Sequence, residues 1–301
     1  MRTDITTLRY DIHDVAGYIN WIYFFHAWGF QPRFATIADI HGCDSCRAQW
    51  VARFDEAERP KAAEAVRLYQ EALQLLAELD GKFAVHAVYR LMDANADGDN
   101  LLLDGTRFPL LRQQTRTRPD APFLCLSDFV RPVSQGVADT VGGFATTIDE
   151  AMEQPYAGDD YQHLLVKTLG ERLAEAAAEK LHLHIRREVW GYAPDERLTL
   201  QQLLNEDYQG IRPAVGYPSL PDLSVTFLLD RLIDMRRIGI RLTETGMMRP
   251  HASVCGLMFA HPAARYFAVG KIDAGQLTDY ARRRGMSVEQ MSQYLRSNLN
   301  N

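Results

Sequence analysis

The sequence predicts an α+β protein, and three observations carry that expectation. Strand-like and helix-like runs follow one another without the regular alternation of a doubly wound sheet. Two strand-like runs, "ASVCGLMF" and "RYFAVGKI", flank "AHPAA" as an antiparallel hairpin would. Neither GxGxxG nor GxxxxGK[ST] occurs, which removes the usual sequence signals of nucleotide-binding folds.

In chain order, "RPKAAEAVRLYQEALQLLAELDG" reads as an amphipathic helix. Ala65, Val66, Leu68, Tyr69, Ala72, Leu73, Leu76 and Leu79 recur at helical spacing, and Gly81 stops it. "KFAVHAVYRL" alternates like a strand. "DANADGDNLLLD" then begins like a helix–loop–helix calcium site, but Asn100 stands where an apolar residue belongs and Asp104 where a bidentate Glu belongs. Gly105 and Pro109 forbid an immediate second helix, so the segment reads as strand, polar turn, strand. "FLCLSDFV" and "GGFATTI" are further strand-like runs. "DDYQHLLVKTLGERLAEAAAEKLHLHIRREVW" is a long helix with Leu165, Leu169, Leu173, Ala176 and Leu181 on one face. A short helix spans Leu198 to Leu204, and "DLSVTFLLDRLIDMRRIGI" reads as another. At the end, "DAGQLTDYARRRG" and "SVEQMSQYLRS" form a helix pair, with Gly285 as C-cap and Ser287 with Gln290 as a capping box.

The 301 residues, 47% hydrophobic and 24% charged, suit a globular protein, and no linker or repeat divides them. One domain over 1–301 is expected. A net charge of −6 argues against a nucleic-acid partner. No apolar run approaches a membrane span, and "MRTDITTLRYD" carries charges where a signal peptide is apolar. Four cysteines make no disulfide framework, so a reduced cytoplasmic protein is expected.

The candidate site lies in "RPAVGYP". Pro213, Gly216 and Pro218 fix the backbone so that Arg212 and Tyr217 are presented in a set geometry. A held arginine suits a carboxylate ligand, and equally an ion pair that only staples the loop. "HGCDSC" places His41, Cys43 and Cys46 together, a pattern used for zinc and for redox pairs. A structural zinc site wants four ligands and no second Cys/His pair is near, so we read a free surface loop. Cys125 and Cys255, in strand-like runs, read as buried thiols.

"YQGIRPAVGYPSLPD", "LTETGMMRPHASVCGLMFAHPAARYFAVGKI" and "DYARRRGMSVEQMSQYL" together resemble the C-terminal activation domain of cobalamin-dependent methionine synthase. "GYINWIYFFHAW", "LRQQT", "FLCLSDFVRP" and "LLVKTLGERLAEAAAEKLH" extend the resemblance to roughly residues 10–297. It implies a C-shaped domain with a bent, mainly antiparallel sheet flanked by helices. It also implies S-adenosylmethionine binding in support of reductive methylation: an electron from a flavodoxin-like donor reduces cob(II)alamin, and S-adenosylmethionine methylates the cobalt. Reduced cobalt is then the nucleophile, so no catalytic side chain is expected; the protein supplies position and charge. The DxHxxG cobalt-ligand motif of the cobalamin module is missing. Asp11/His13 and Asp39/His41 are imperfect echoes of it, so the expected partner is a separate cobalamin-binding synthase that lacks this module.

Carried over by position, Arg212 is the main ligand residue, with Pro213, Ala214, Gly216 and Tyr217 around it. Glu206 faces the ligand's positive end, Tyr266 and Phe267 offer aromatic faces, and Glu175 supports. The family's YIDW reads "YINW" here, so Asn20 replaces an aspartate. A charged hydrogen bond is worth about 1.5–3 kcal/mol against about 1 for a neutral one, or roughly tenfold in affinity. Weaker binding, a compensating acid or a shifted ligand preference each follow from that change. A non-catalytic S-adenosylmethionine sensor or corrinoid docking protein is the alternative function.

Overall fold

The computed structural model describes residues 1–116 and 118–299. Strand β1 (Thr6–Asp11) leads into the short helices α1 (Ile12–Ala16) and α2 (Trp21–Ala27), then α3 (Asp44–Ala52) and the 21-residue α4 (Arg59–Leu79). The sheet continues through β2 (Ala84–Ala96), β3 (Asn100–Leu103), β4 (Thr106–Pro109) and β5 (Asp139–Ile148). After the 25-residue α5 (Asp160–His184) come α6 (Leu200–Leu204) and α7 (Val225–Ile233). A two-stranded ribbon, β6 (Arg241–Leu242) and β7 (Met248–Arg249), precedes β8 (Ser253–Met258). Helices α8 (Ala274–Arg284) and α9 (Val288–Tyr294) close the chain. Among the described residues, no helix is long and apolar enough to cross a membrane.

Six strands form one curled antiparallel sheet in the order β4-β3-β2-β5-β8, with β1 beside β2. The 13-residue β2 is its axis. One edge of β2 pairs with β5 from Val85 to Ala94, while the other is shared between β1 near its start and β3 near its end. Alternate side chains of β2 therefore enter different cores. Val85, Ala87, Tyr89 and Leu91 pack into the layer built by α1, α4 and α5. Val88, Met92, Ala94 and Ala96 pack into the opposite layer, under α7. A sheet covered on both faces explains why β5 and β8 read as almost continuous apolar runs.

The helix assignments hold in α4, α5, α8 and α9, including Gly81 at positive φ, the Gly285 cap and the Ser287/Gln290 box. On α4, Leu75 is buried and Leu73 is exposed, so the buried stripe is rotated slightly from the one read in sequence. The α7 helix is shorter than its apolar run because Asp234 turns to φ 51° and starts a separate 3-10 turn, Met235–Ile238.

"DANADGDN" is strand, turn, strand, with Gly98 at φ 57° and Asp97 and Asn100 exchanging backbone hydrogen bonds. Its acids pair with cations, Asp97 with Arg107 and Asp99 with Arg112, and beyond the turn Asp104 pairs with Arg90 in a largely buried ion pair.

Two strand assignments are overturned. Residues 123–125 of "FLCLSDFV" are irregular and Leu126–Phe129 is a 3-10 turn, closed where the Cys125 N–H donates to Asp128 at 2.8 Å. "RYFAVGKI" does not pair with β8, because residues 211–215 already occupy that edge. Ile211 and Phe259 exchange hydrogen bonds at 2.9 Å, Leu257 N–H donates to Pro213 at 3.1 Å, and Val215 N–H donates to Cys255 at 2.8 Å.

Gly256 makes that approach possible: a Cβ there would lie 2.3 Å from the Pro213 carbonyl oxygen and 2.9 Å from Ala214 Cα. Both obstacles are backbone, so they cannot rotate away. Gly256→Ala is expected to destabilise the fold by about 1–3 kcal/mol, the usual cost of overpacking. Urea unfolding of the two proteins measures it, and an unchanged midpoint would contradict the described contact.

Candidate functional site

A cleft of ≈ 580 Å³ opens between α5 and the 211–220 segment. Its size falls within the roughly 300–1,000 Å³ of small-molecule sites. One wall is α5, where Arg172, Glu175, Ala176 and Glu179 recur at helical spacing and face the opening. The other is the RPAVGYP segment, pinned to β8 as described. Gly216 at φ 89° turns the chain back so that its N–H donates to Leu220 at 2.8 Å.

The structure brings most of the sequence-selected residues together. Asn20, Glu206, Arg212, Pro213, Ala214, Tyr217, Tyr266 and Phe267 line this one cleft, as does Glu175. Gly216 shapes the turn and lines nothing. Tyr217 hydroxyl donates to Glu175 at 2.8 Å, tying the loop to α5 across the mouth.

Arg212 makes the deepest polar contact, an ion pair with Glu179 in which the two side chains are 15% and 4% exposed. Its backbone N–H donates to the Tyr266 hydroxyl at 3.0 Å, so Tyr266 props the loop as well as lining the cleft. Behind Arg212 lies His182, fully buried, with Tyr208 edge-on at 5.0 Å. Burial, reinforced by Arg186 and Arg212, pushes the His182 imidazole well below its ordinary range, so it is neutral. Glu179 Oε1 and Arg212 Nε have no hydrogen-bond partner among the described residues, which leaves bonding capacity at the floor.

Glu206 follows α6 in the left-handed region at φ 61°. Such a conformation costs a side-chain-bearing residue about 1–2 kcal/mol. Burial raises its carboxyl; Arg212 opposes the rise and Glu179 adds to it.

Asn20 sits at the head of α2, where its side-chain oxygen accepts from the Ile22 N–H at 3.1 Å. The residue thus caps α2 and brings no charge to the cleft. Phe267 N–H donates to Ser219 Oγ, and its ring packs near Phe129.

Glu179 was missed in the sequence. Its signal was present: an acid within the alanine-rich "AEAAAEKL", one turn beyond Glu175 on the same helix face. Arg172, Tyr18 and Tyr23 also line the cleft; they lie in stretches that carry the family resemblance but were not singled out within them.

The "HGCDSC" stretch lies outside the cleft and is not a free loop, because Cys43 caps α3. His41, Cys43 and Cys46 converge, their side-chain N and S atoms all within 4.8 Å of one another. Cys125 and Cys255 are buried thiols.

Residues 11–285 match the family model described as vitamin B12 dependent methionine synthase, activation domain. The fold is similar to the crystal structure of the MetH reactivation domain bound to AdoHcy, with TM-score 0.85 and 35% identity, over 100% of this chain and 91% of that one.

Two outcomes follow from the site's electrostatics. Glu179→Ala strands a buried guanidinium and is expected to cost about 3–5 kcal/mol, whereas the double change Glu179→Leu with Arg212→Met recovers most of it. Urea melts of the three proteins decide; equal loss in single and double variants would mean the pair contributes by packing alone. The depressed His182 gives stability that is complete above its unfolded value near 6.5 and is lost as pH falls below it. The unfolding free energy should therefore drop by up to about 1.4 kcal/mol per pH unit from this one group. His182→Gln should flatten that slope in melts at neutral and mildly acidic pH.

Proposed function

The chain belongs to the activation-domain family of vitamin B12 dependent methionine synthase, and from that premise we propose that its cleft holds S-adenosylmethionine for reductive methylation of cob(II)alamin. One observation carries this reading: eight residues from four separate stretches of sequence converge on one cleft with the chemistry this ligand needs. S-adenosylmethionine presents a carboxylate, an ammonium, a sulfonium and an adenine. Arg212 suits the carboxylate, since a guanidinium has donors beyond those given to Glu179. Glu206 and Glu175 suit the cationic groups, and Tyr217, Tyr266 and Phe267 offer aromatic faces to adenine or sulfonium. The relative's AdoHcy is the product such a methyl transfer leaves behind.

The protein's part is to position the methyl group. In the full reaction a one-electron donor of the flavodoxin type and a reduced corrinoid held elsewhere would supply the electron and the nucleophile, and the sulfonium, on giving up its methyl group, would leave as a neutral thioether. Charge loss on sulfur weakens the attraction of Glu206 and Glu175 for the product, which favours its release. These 301 residues carry no DxHxxG motif, so the corrinoid is held by residues outside them. The proposed arrangement is action in trans on a cobalamin-bearing synthase, in a reducing cytoplasm.

Calorimetric titration with S-adenosylmethionine tests the binding. The native protein should bind, Arg212→Ala should not, and Asn20→Asp should bind about tenfold more tightly, because a charged hydrogen bond replaces a neutral one. Asp caps α2 as well as Asn does, so the variant keeps its fold. Methylation is then followed by the absorbance of methylcobalamin, with this chain and a synthase lacking its own activation domain as separate polypeptides. Methylcobalamin formation above the chain-free control supports action in trans. Binding with no methylation in that mixture favours the sensor or docking role instead.

A further inference from the structure

We propose that Cys43 and Cys46 form a thiol–disulfide exchange site, with Cys43 as the attacking sulfur and a low-molecular-weight disulfide as its substrate. The two Sγ atoms are 2.8 Å apart at the first turn of α3, and both residues are partly exposed. Cys43 is the N-cap: its Sγ accepts the Cys46 backbone N–H at 3.3 Å, an interaction that favours a thiolate. The helix dipole acts in the same direction. His41, two residues earlier, brings its imidazole to the same cluster. The hydrogen bonds from Cys46 and His41 draw the Cys43 thiol down to about 7, while Cys46 is raised by its neighbour. One proton is thus shared between two sulfurs, with Cys43 holding the negative charge.

The number of ligands favours exchange over a structural metal site. A structural zinc wants four ligands, and only three metal-binding side chains gather there among the described residues. The buried Cys125 and Cys255 lie apart in the opposite core layer, and burial pushes both thiols up, so they serve as unreactive references.

The exchange balances without a further reactant. The Cys43 thiolate attacks one sulfur of the small disulfide, forming a mixed disulfide and releasing one thiolate. That thiolate takes the Cys46 proton. The Cys46 thiolate then attacks Cys43 Sγ, closing the Cys43–Cys46 bond and releasing the second thiolate, which is protonated from water. The pair is oxidised by two electrons and the small disulfide is reduced to two thiols.

The full chain is equilibrated with graded mixtures of reduced and oxidised glutathione, quenched in acid, alkylated and weighed by mass spectrometry. The expected result is an intramolecular Cys43–Cys46 disulfide at the oxidising end, reversed at the reducing end, with Cys125 and Cys255 alkylated only after unfolding. Cys46→Ser should trap one glutathione on Cys43, and Cys43→Ser should trap far less on Cys46. Equal trapping in both variants would overturn the roles given to the two sulfurs. Protein that carries stoichiometric zinc, and whose thiols resist oxidation until chelator is added, would overturn the exchange site in favour of a metal centre.

Discussion

The contact on which the rest of the molecule depends is the backbone pairing of residues 211–215 with β8. It makes a loop behave as part of the sheet, and it exists because Gly256 has no side chain. From it follow the orientation of Arg212 toward α5, the position of Tyr217 at the mouth and the displacement of residues 265–271 from the sheet edge. A ligand loop on a free hairpin would vary by the usual loop freedom; here its carbonyls and amides are fixed by hydrogen bonds to a core strand. The precision of the cleft is therefore inherited from the core.

Charge within the cleft is arranged in opposition. Arg212 sits between Glu179, Glu206 and Glu175, with a neutral histidine rather than a charged one behind it. A second positive group at His182 would oppose Arg212 in a place where water cannot screen either. The asparagine at position 20 adds no fourth acid to this set; its side chain serves the fold through the α2 cap.

Much of this was legible in the sequence, for identifiable reasons. Helices α4, α5, α8 and α9 announce themselves through periodicity and caps, which are local properties. The RPAVGYP loop is legible because proline and glycine encode backbone shape directly. The hairpin between β8 and residues 265–271 was misread because the edge of β8 is taken by residues 211–215, a competitor far upstream that local patterning cannot reveal. The "FLCLSDFV" turn was misread because Asp128 folds back on Cys125, a side-chain event that apolar alternation cannot reveal. Glu179 was missed because a buried acid becomes interpretable only once its partner on another element is known.

The two walls of the cleft belong to structures that share the sheet: α5 packs on one face, and β8 carries the opposite wall along its edge. Both walls are thus anchored in core packing. A ligand then meets a surface that is already shaped and gives up little conformational entropy of the protein on arrival. Association is governed by encounter and orientation, and the time the ligand stays is set by how fast its own contacts break. For the ligand proposed above, occupancy of this cleft would then be a matter of residence time.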